Sequence, residues 1–142
     1  MKKIFVGAVV GGAALFLIVI ILLLLPSHQQ APSSATQASP HARLEAALQS
    51  GKPAFVFMHS LTCASCQEMM GVVAQVMPDF EGDVILIDVN VDEPANQALL
   101  RSERLQLIPT EVFYDRQGKR QEFVGVMTAA QLRTILNALH SQ

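Results

Sequence analysis

The sequence predicts an α/β domain, with a central mixed four-stranded sheet flanked by helices, preceded by one transmembrane helix. Three observations predict it: an uncharged apolar run near the N-terminus, a strand–helix–strand pattern containing two cysteines spaced Cys-x-x-Cys, and a closing hairpin pattern followed by an amphipathic helix. A chain of 142 residues has room for one domain of ordinary size, which excludes multidomain enzymes and long repeat arrays. Hydrophobic residues make up 51% of it and charged residues 15%, too apolar for disorder and greasy for a soluble protein, so the excess must be concentrated. Ten basic against twelve acidic residues give a net charge of −2, with no basic stripe beyond Lys2 and Lys3, and no nucleic-acid partner is expected.

The concentration is Ile4 to Leu25, which holds no charge and no proline. As a helix it would run about 33 Å, enough to cross a hydrocarbon core of about 30 Å. Residues 1–25 are therefore expected to anchor the chain in a bilayer. Lys2 and Lys3 precede the run and no Lys or Arg follows until Arg43, a bias that keeps the N-terminus cytoplasmic and sends the remainder outward. A cleaved signal peptide competes with this reading; its apolar region would be about 7–15 residues before a small-x-small site, and Leu25-Pro26-Ser27-His28 is not one, although Ser33 to Ala38 offers a later site. Residues 26–40, rich in Pro and Ser and without Lys, Arg, Asp or Glu, are expected to be a flexible linker. Residues 41–142 are expected to form the folded domain.

Ser39-Pro40 reads as a cap and first-turn pair, with Leu44, Ala47 and Leu48 on one helical face before Gly51. Ala54 to Met58 is a continuous apolar run, expected of a strand covered on both faces. A helix is expected from about Cys63, with Met69, Met70, Val73, Val76 and Met77 at spacings of three and four, Pro78-Asp79 stopping it and Gly71 weakening it. Val84 to Val91 reads as a second buried strand, then Asp92-Glu93-Pro94 opens a helix carrying Leu99 and Leu100. Glu111 to Tyr114 and Gln121 to Gly125 read as an antiparallel pair joined through Asp115 to Lys119. Thr128 caps a last helix whose Leu132, Ile135, Leu136 and Leu139 face the core. The predicted order is α, β, α, β, α, β, β, α.

The chemistry lies in Thr62-Cys63-Ala64-Ser65-Cys66, at the end of a buried strand and the start of a helix. A thiol there faces unpaired backbone N–H groups and the positive end of the helix dipole, which favour the thiolate and can lower its pKa from about 8.5 into the range of about 3.5–7.5. Cys63 is the expected nucleophile. Cys66, one turn further in, is expected to resolve a mixed disulfide on Cys63. Three blander readings compete. A purely structural disulfide would close so short a loop that it restricts the unfolded chain by only about 2 kcal/mol. A zinc site would need four ligands, and beyond the cysteines there are only His28, His41, His59 and His140, so no metal is expected. Two inert core cysteines fit poorly at a helix start. His59, four residues before Cys63, could steady its thiolate as a cation, but ending a strand is the preferred reading; Met58, Met69, Met70 and Met77 are read as core filling.

Lys52-Pro53-Ala54-Phe55-Val56-Phe57, Cys63-Ala64-Ser65-Cys66, Asp88-Val89-Asn90-Val91-Asp92, Ile108-Pro109-Thr110, Phe113 to Lys119 and Val124-Gly125 follow one another in the order of a known family. From Arg43 to about Leu139 the chain resembles the thioredoxin superfamily, specifically its membrane-anchored bacterial members on the outer side of the inner membrane. The resemblance implies a thioredoxin-like fold, a redox disulfide Cys63–Cys66, and a cis Pro109 against the dithiol. A cis proline would remove a backbone donor beside the sulfurs and leave the Ile108 backbone free to pair with an extended substrate. It further implies protein-disulfide reduction by dithiol exchange, without a cofactor, on exported proteins such as an apocytochrome c or another thioredoxin-like protein. Electrons would come from a polytopic membrane thiol transporter. An oxidase or isomerase with the same residues, or a nonenzymatic docking module, are the rivals.

Thr62 and Ala64-Ser65 depart from the family's usual Trp and Gly-Pro, and dipeptides at this place tune potentials over about −270 to −120 mV, so direction is not readable from them. Ile108 before the proline resembles reductases more than oxidases. Family members hold a buried acid six residues before the first cysteine, where this chain has Phe57. Asp88, inside the second strand, and Glu111, opening a strand expected to be covered, are the candidate replacements as proton acceptor for Cys66, against the alternative that both sit at strand ends in water. Glu68 is expected to face solvent.

Overall fold

A computed structural model describes residues 38–141. The expected anchor Ile4–Leu25 and nearly all of the expected linker lie outside the described residues. Among the described residues no helix is long and apolar enough to cross a membrane.

Helix α1 spans Pro40–Gln49, and the Ser39 hydroxyl accepts from the Ala42 N–H at 3.2 Å. Proline at the first position costs the helix no internal bond, and Gly51, with φ of 65°, turns the chain out of it. Strand β1 (Ala54–His59) follows, buried at every position. Then come α2 (Ala64–Val76), a 3₁₀ turn at Met77–Phe80, β2 (Ile85–Asn90), a 3₁₀ turn at Pro94–Asn96 and α3 (Gln97–Ser102). Strands β3 (Thr110–Tyr114) and β4 (Arg120–Val124) lead to α4 (Ala129–His140). Thr128 and Gln131 close α4 with reciprocal side-chain bonds to each other's backbone, satisfying two otherwise orphaned donors.

The four strands lie in the order β2-β1-β3-β4, with β1 parallel to β2 and antiparallel to β3, and β3 antiparallel to β4. Alternation along β1 and β3 sorts their side chains onto two faces. Phe55, Phe57 and Phe113 pack with Met69, Val73, Leu132 and Leu136 under α2 and α4. Val56, Met58, Val112 and Tyr114 pack with Leu44, Ala47, Leu99 and Leu100 under α1 and α3. Met58, Met69 and Met77 are core residues and Met70 packs against the core.

One expectation is corrected. The strand read as buried from Val84 to Val91 is an edge strand in which Asp88 is exposed and Ile85, Leu86 and Asn90 are half-buried, because no strand pairs with its outer side among the described residues. Gly71 lies inside α2, which runs unbroken through it.

Candidate functional site

The junction of β1 and α2 carries the sulfurs. Cys63 is the N-cap of α2, with extended backbone (φ −96°, ψ 119°), and its Sγ accepts from the Cys66 N–H at 3.3 Å. A sulfur is thus placed where a capping oxygen would ordinarily sit, on the unpaired amides of the first turn. Cys63 and Cys66 are joined as a disulfide with Cα atoms 5.1 Å apart. Cys63 is half-buried and Cys66 fully buried, so an incoming group meets the first sulfur and not the second. Ser65 Oγ lies 3.3 Å from Cys63 Sγ, while Thr62 and Ala64 are exposed beside it.

The loop that delivers Cys63 is tied down. Buried Ser60 donates its hydroxyl to Asp92 and accepts from the Thr62 N–H at 3.3 Å, and Gln67 Nε2 donates to the Leu61 carbonyl at 2.7 Å. Sequence reasoning missed Ser60, whose signal was the Asp92 that ends Asp88-Val89-Asn90-Val91-Asp92. It also missed Leu61 and Leu107, exposed by 55% and 64%.

The Ile108–Pro109 peptide is cis. Met58 pairs with Thr110, so one further step along the ladder sets Pro109 beside His59, at the end of β1 from which the dithiol loop leaves. The Pro109 carbonyl accepts from the Gly125 N–H at 2.9 Å, while Ile108 makes no backbone hydrogen bond among the described residues.

The two candidate acids part company. Asp88 is not a buried acid: its side chain is 60% exposed and its Oδ1 lies 2.8 Å from His59 Nε2. It has the open side of an edge strand, where water solvates the carboxylate. Glu111 lies on β3 between two neighbours and is fully buried, directly across from Phe57, and neither carboxyl oxygen has a hydrogen-bond partner among the described residues. Burial, opposed only by its own backbone N–H, pushes its pKa up to about 8. The acid expected at the Phe57 position is thus found on the adjoining strand, on the face covered by α2. Glu68 is exposed.

His59 ends β1 as expected, but it does more. It is buried, stacks on Phe57 at a centroid distance of 4.8 Å and leaves Nδ1 without a partner among the described residues. Among the described residues no three His, Cys, Asp or Glu side chains come together as metal ligands. What the arrangement offers chemically is a capped, accessible sulfur, a shielded second sulfur and a buried acid on the face of the sheet that α2 covers.

The sequence model of the thioredoxin-like domain matches residues 41–140. Among solved structures, chloroplastic thioredoxin z is 25% identical, with a TM-score of 0.61, 70% of this chain and 89% of that one being covered. Thioredoxin O2 from Arabidopsis thaliana in its oxidised state is 21% identical, with a TM-score of 0.62 over 70% of this chain and 85% of that one. A thioredoxin-like protein from Clostridium perfringens is 30% identical, with a TM-score of 0.54 over 63% of this chain and 71% of that one.

Proposed function

The chain belongs to the thioredoxin-like domain family, and on that premise we propose that it is a membrane-tethered thiol:disulfide oxidoreductase that reduces disulfides of exported proteins. The observation that carries the exchange chemistry is Cys63 capping α2 while bridged to a buried Cys66. In the reduced chain the Cys63 thiolate attacks a partner's disulfide, forming a mixed disulfide and releasing one partner thiolate. Cys66 gives its proton to Glu111 and attacks Cys63, closing the intramolecular disulfide and releasing the second partner thiolate. Two electrons pass from the dithiol to the partner. The unpaired Ile108 backbone supplies a short edge for an extended partner segment, and Leu61 and Leu107 give it apolar surface.

The tether reading is supported by Ile4–Leu25 with Lys2 and Lys3 before it, a charge bias that favours a domain on the exocytoplasmic side, and the family resemblance favours a bacterial inner membrane. Reduction there requires an electron supply, for which a membrane thiol transporter is the fitting donor; an apocytochrome c or a second thioredoxin-like protein fits as recipient. Ile108 before Pro109 favours the reducing direction. Replacing Cys66 with Ser tests the reading: the variant is expected to accumulate mixed disulfides through Cys63 with exported proteins. None trapped would leave a docking module, and equilibration with glutathione that favours the disulfide acting as oxidant would reverse the direction.

A further inference from the structure

From Pro53 to Leu100 the chain holds seven Asp or Glu residues and no Lys or Arg. The pairing register shows where this falls. His59 and Asn90 end β1 and β2 together, and Met58, Thr110 and Val124 lie abreast in β1, β3 and β4. Four loops therefore meet at the end of the sheet from which Cys63 leaves: 60–63, 91–96, 105–109 and 125–128. Their only charged residues are Asp92 and Glu93, and both are exposed. Asp92 is fixed against the dithiol loop by the Ser60 hydroxyl. Cations stand elsewhere. Lys52 precedes β1, Tyr114 pairs with both Ala54 and Arg120, and the turn between β3 and β4 carries Arg116 and Lys119, all at the opposite end of the strands. Arg104 lines a cavity with Arg120 and Glu122 there, and Arg101 lies in the last turn of α3. Arg43 is bonded to the Leu86 carbonyl near the start of β2, and Arg133 to Asp79. Exposed Leu61 and Leu107 and the unpaired Ile108 backbone give the dithiol end the means to hold an extended segment. Carboxylates without cations decide which segment it suits, since opposite charges favour encounter and like charges oppose it.

We propose that the dithiol end selects partner segments carrying Lys or Arg within a few residues of the attacked disulfide, with Asp92 and Glu93 receiving the cation beside the apolar contact of Leu61 and Leu107. The proposal rests on the dithiol-exchange reading and names the chemistry of its substrate. Asp92 holds its charge in place through Ser60, three residues before Cys63, while Glu93 extends the negative surface outward from the same loop. An acidic segment is disfavoured twice, because it meets two carboxylates and finds no Lys or Arg on the four loops to pair with. These charges act on encounter and binding, leaving the sulfur chemistry to the cysteines. Their influence reaches about a Debye length, ~8 Å at physiological salt, so it is confined to residues close to the disulfide and weakens as salt rises.

The test uses the reduced full-length chain in a neutral detergent and three disulfide-cyclised peptides, identical except for two flanking residues that are Lys, Gln or Glu. Chromatography of the reduced peptide gives the second-order rate constant for each. At low salt the Lys peptide is expected to react about fivefold faster than the Gln peptide, and the Glu peptide about fivefold slower. In about 1 M salt, where the Debye length is about 3 Å, the three are expected to converge. Glu93→Gln is expected to shrink the Lys-to-Glu ratio and Glu93→Lys to bring it close to one, whereas Glu122→Gln, at the other end of the strands, is expected to keep it. Because the ratio compares two peptides on one protein, a variant with less folded or less active protein still reports it. Equal rates for the three peptides, a preference for the Glu peptide, or a Lys preference that survives Glu93→Lys or high salt overturns the proposal and leaves the exchange reading standing. A chain that reduces none of the three overturns both.

Discussion

Two buried glutamates, one on each face of the sheet, have opposite surroundings. Glu103, at the C-terminal end of α3, accepts from the Tyr114 hydroxyl at 2.8 Å on both oxygens and from Arg120 Nε at 3.2 Å, while Arg120 Nη2 reaches its backbone carbonyl at 3.3 Å. The Tyr114 phenol is pushed up to about 12 by burial and by the bond and charge of Glu103, which Arg120 only partly offsets. Glu111 has none of this and is more deeply buried. A satisfied acid joins β3, β4 and α3; an unsatisfied one, stripped of water, has its pKa pushed up. The same side chain is held as an ordinary bonded acid on one face and kept as a perturbed one on the other because of what stands opposite it.

The largest expected effect is on the pH dependence of stability. Glu111 holds its proton to about 8 when folded against an ordinary 4.5, so its neutral form favours folding. That contribution is full below pH 4.5 and is lost as pH rises to about 8, at about 1.4 kcal/mol per unit. Urea denaturation from pH 5 to 9 is expected to show this slope, Glu111→Gln to flatten it and Glu103→Gln to keep it; an unchanged slope in Glu111→Gln breaks the contrast. Next, Glu103→Ala is expected to destabilise the fold by about 3 kcal/mol, since it strands Tyr114 and Arg120, yet to leave exchange with glutathione within about twofold.

A smaller effect falls on rate. With a midpoint near 8, only about a tenth of Glu111 is ionised at pH 7, which limits what its loss can cost. Glu111→Gln is expected to slow resolution of a Cys63–glutathione mixed disulfide about tenfold, ~1.4 kcal/mol, with a larger deficit at pH 8. Rapid-quench alkylation of the intermediate measures it; equal rates in the two proteins would place the proton acceptor elsewhere. Smallest is Asp88→Asn, expected to cost under about 1 kcal/mol of stability in thermal unfolding because the Asp88 carboxylate is mostly in water.

Much of the site was legible because its causes are local. A Cys-x-x-Cys at a strand–helix junction places one sulfur on the first-turn amides and the other a turn behind, whatever the rest of the fold does. The run Ala54 to Met58 likewise announced a strand covered on both faces. Asp88 and Glu111 were equally plausible as buried acids, because each sits in a β-rich segment. Their separation required strand order: β2 is an edge, β3 is not. His59 was legible as a strand end but not as the partner of Asp88, since the two lie 29 residues apart and meet only through the β1–β2 pairing.

By itself, then, the sequence determined the order of the elements, the caps Ser39 and Thr128, and the two sulfurs at the mouth of α2, all consequences of backbone geometry within a few residues. Only the tertiary structure decided which acid loses its water and which histidine nitrogen is left facing inward. Desolvation depends on neighbours brought from distant parts of the chain, and no local pattern specifies them.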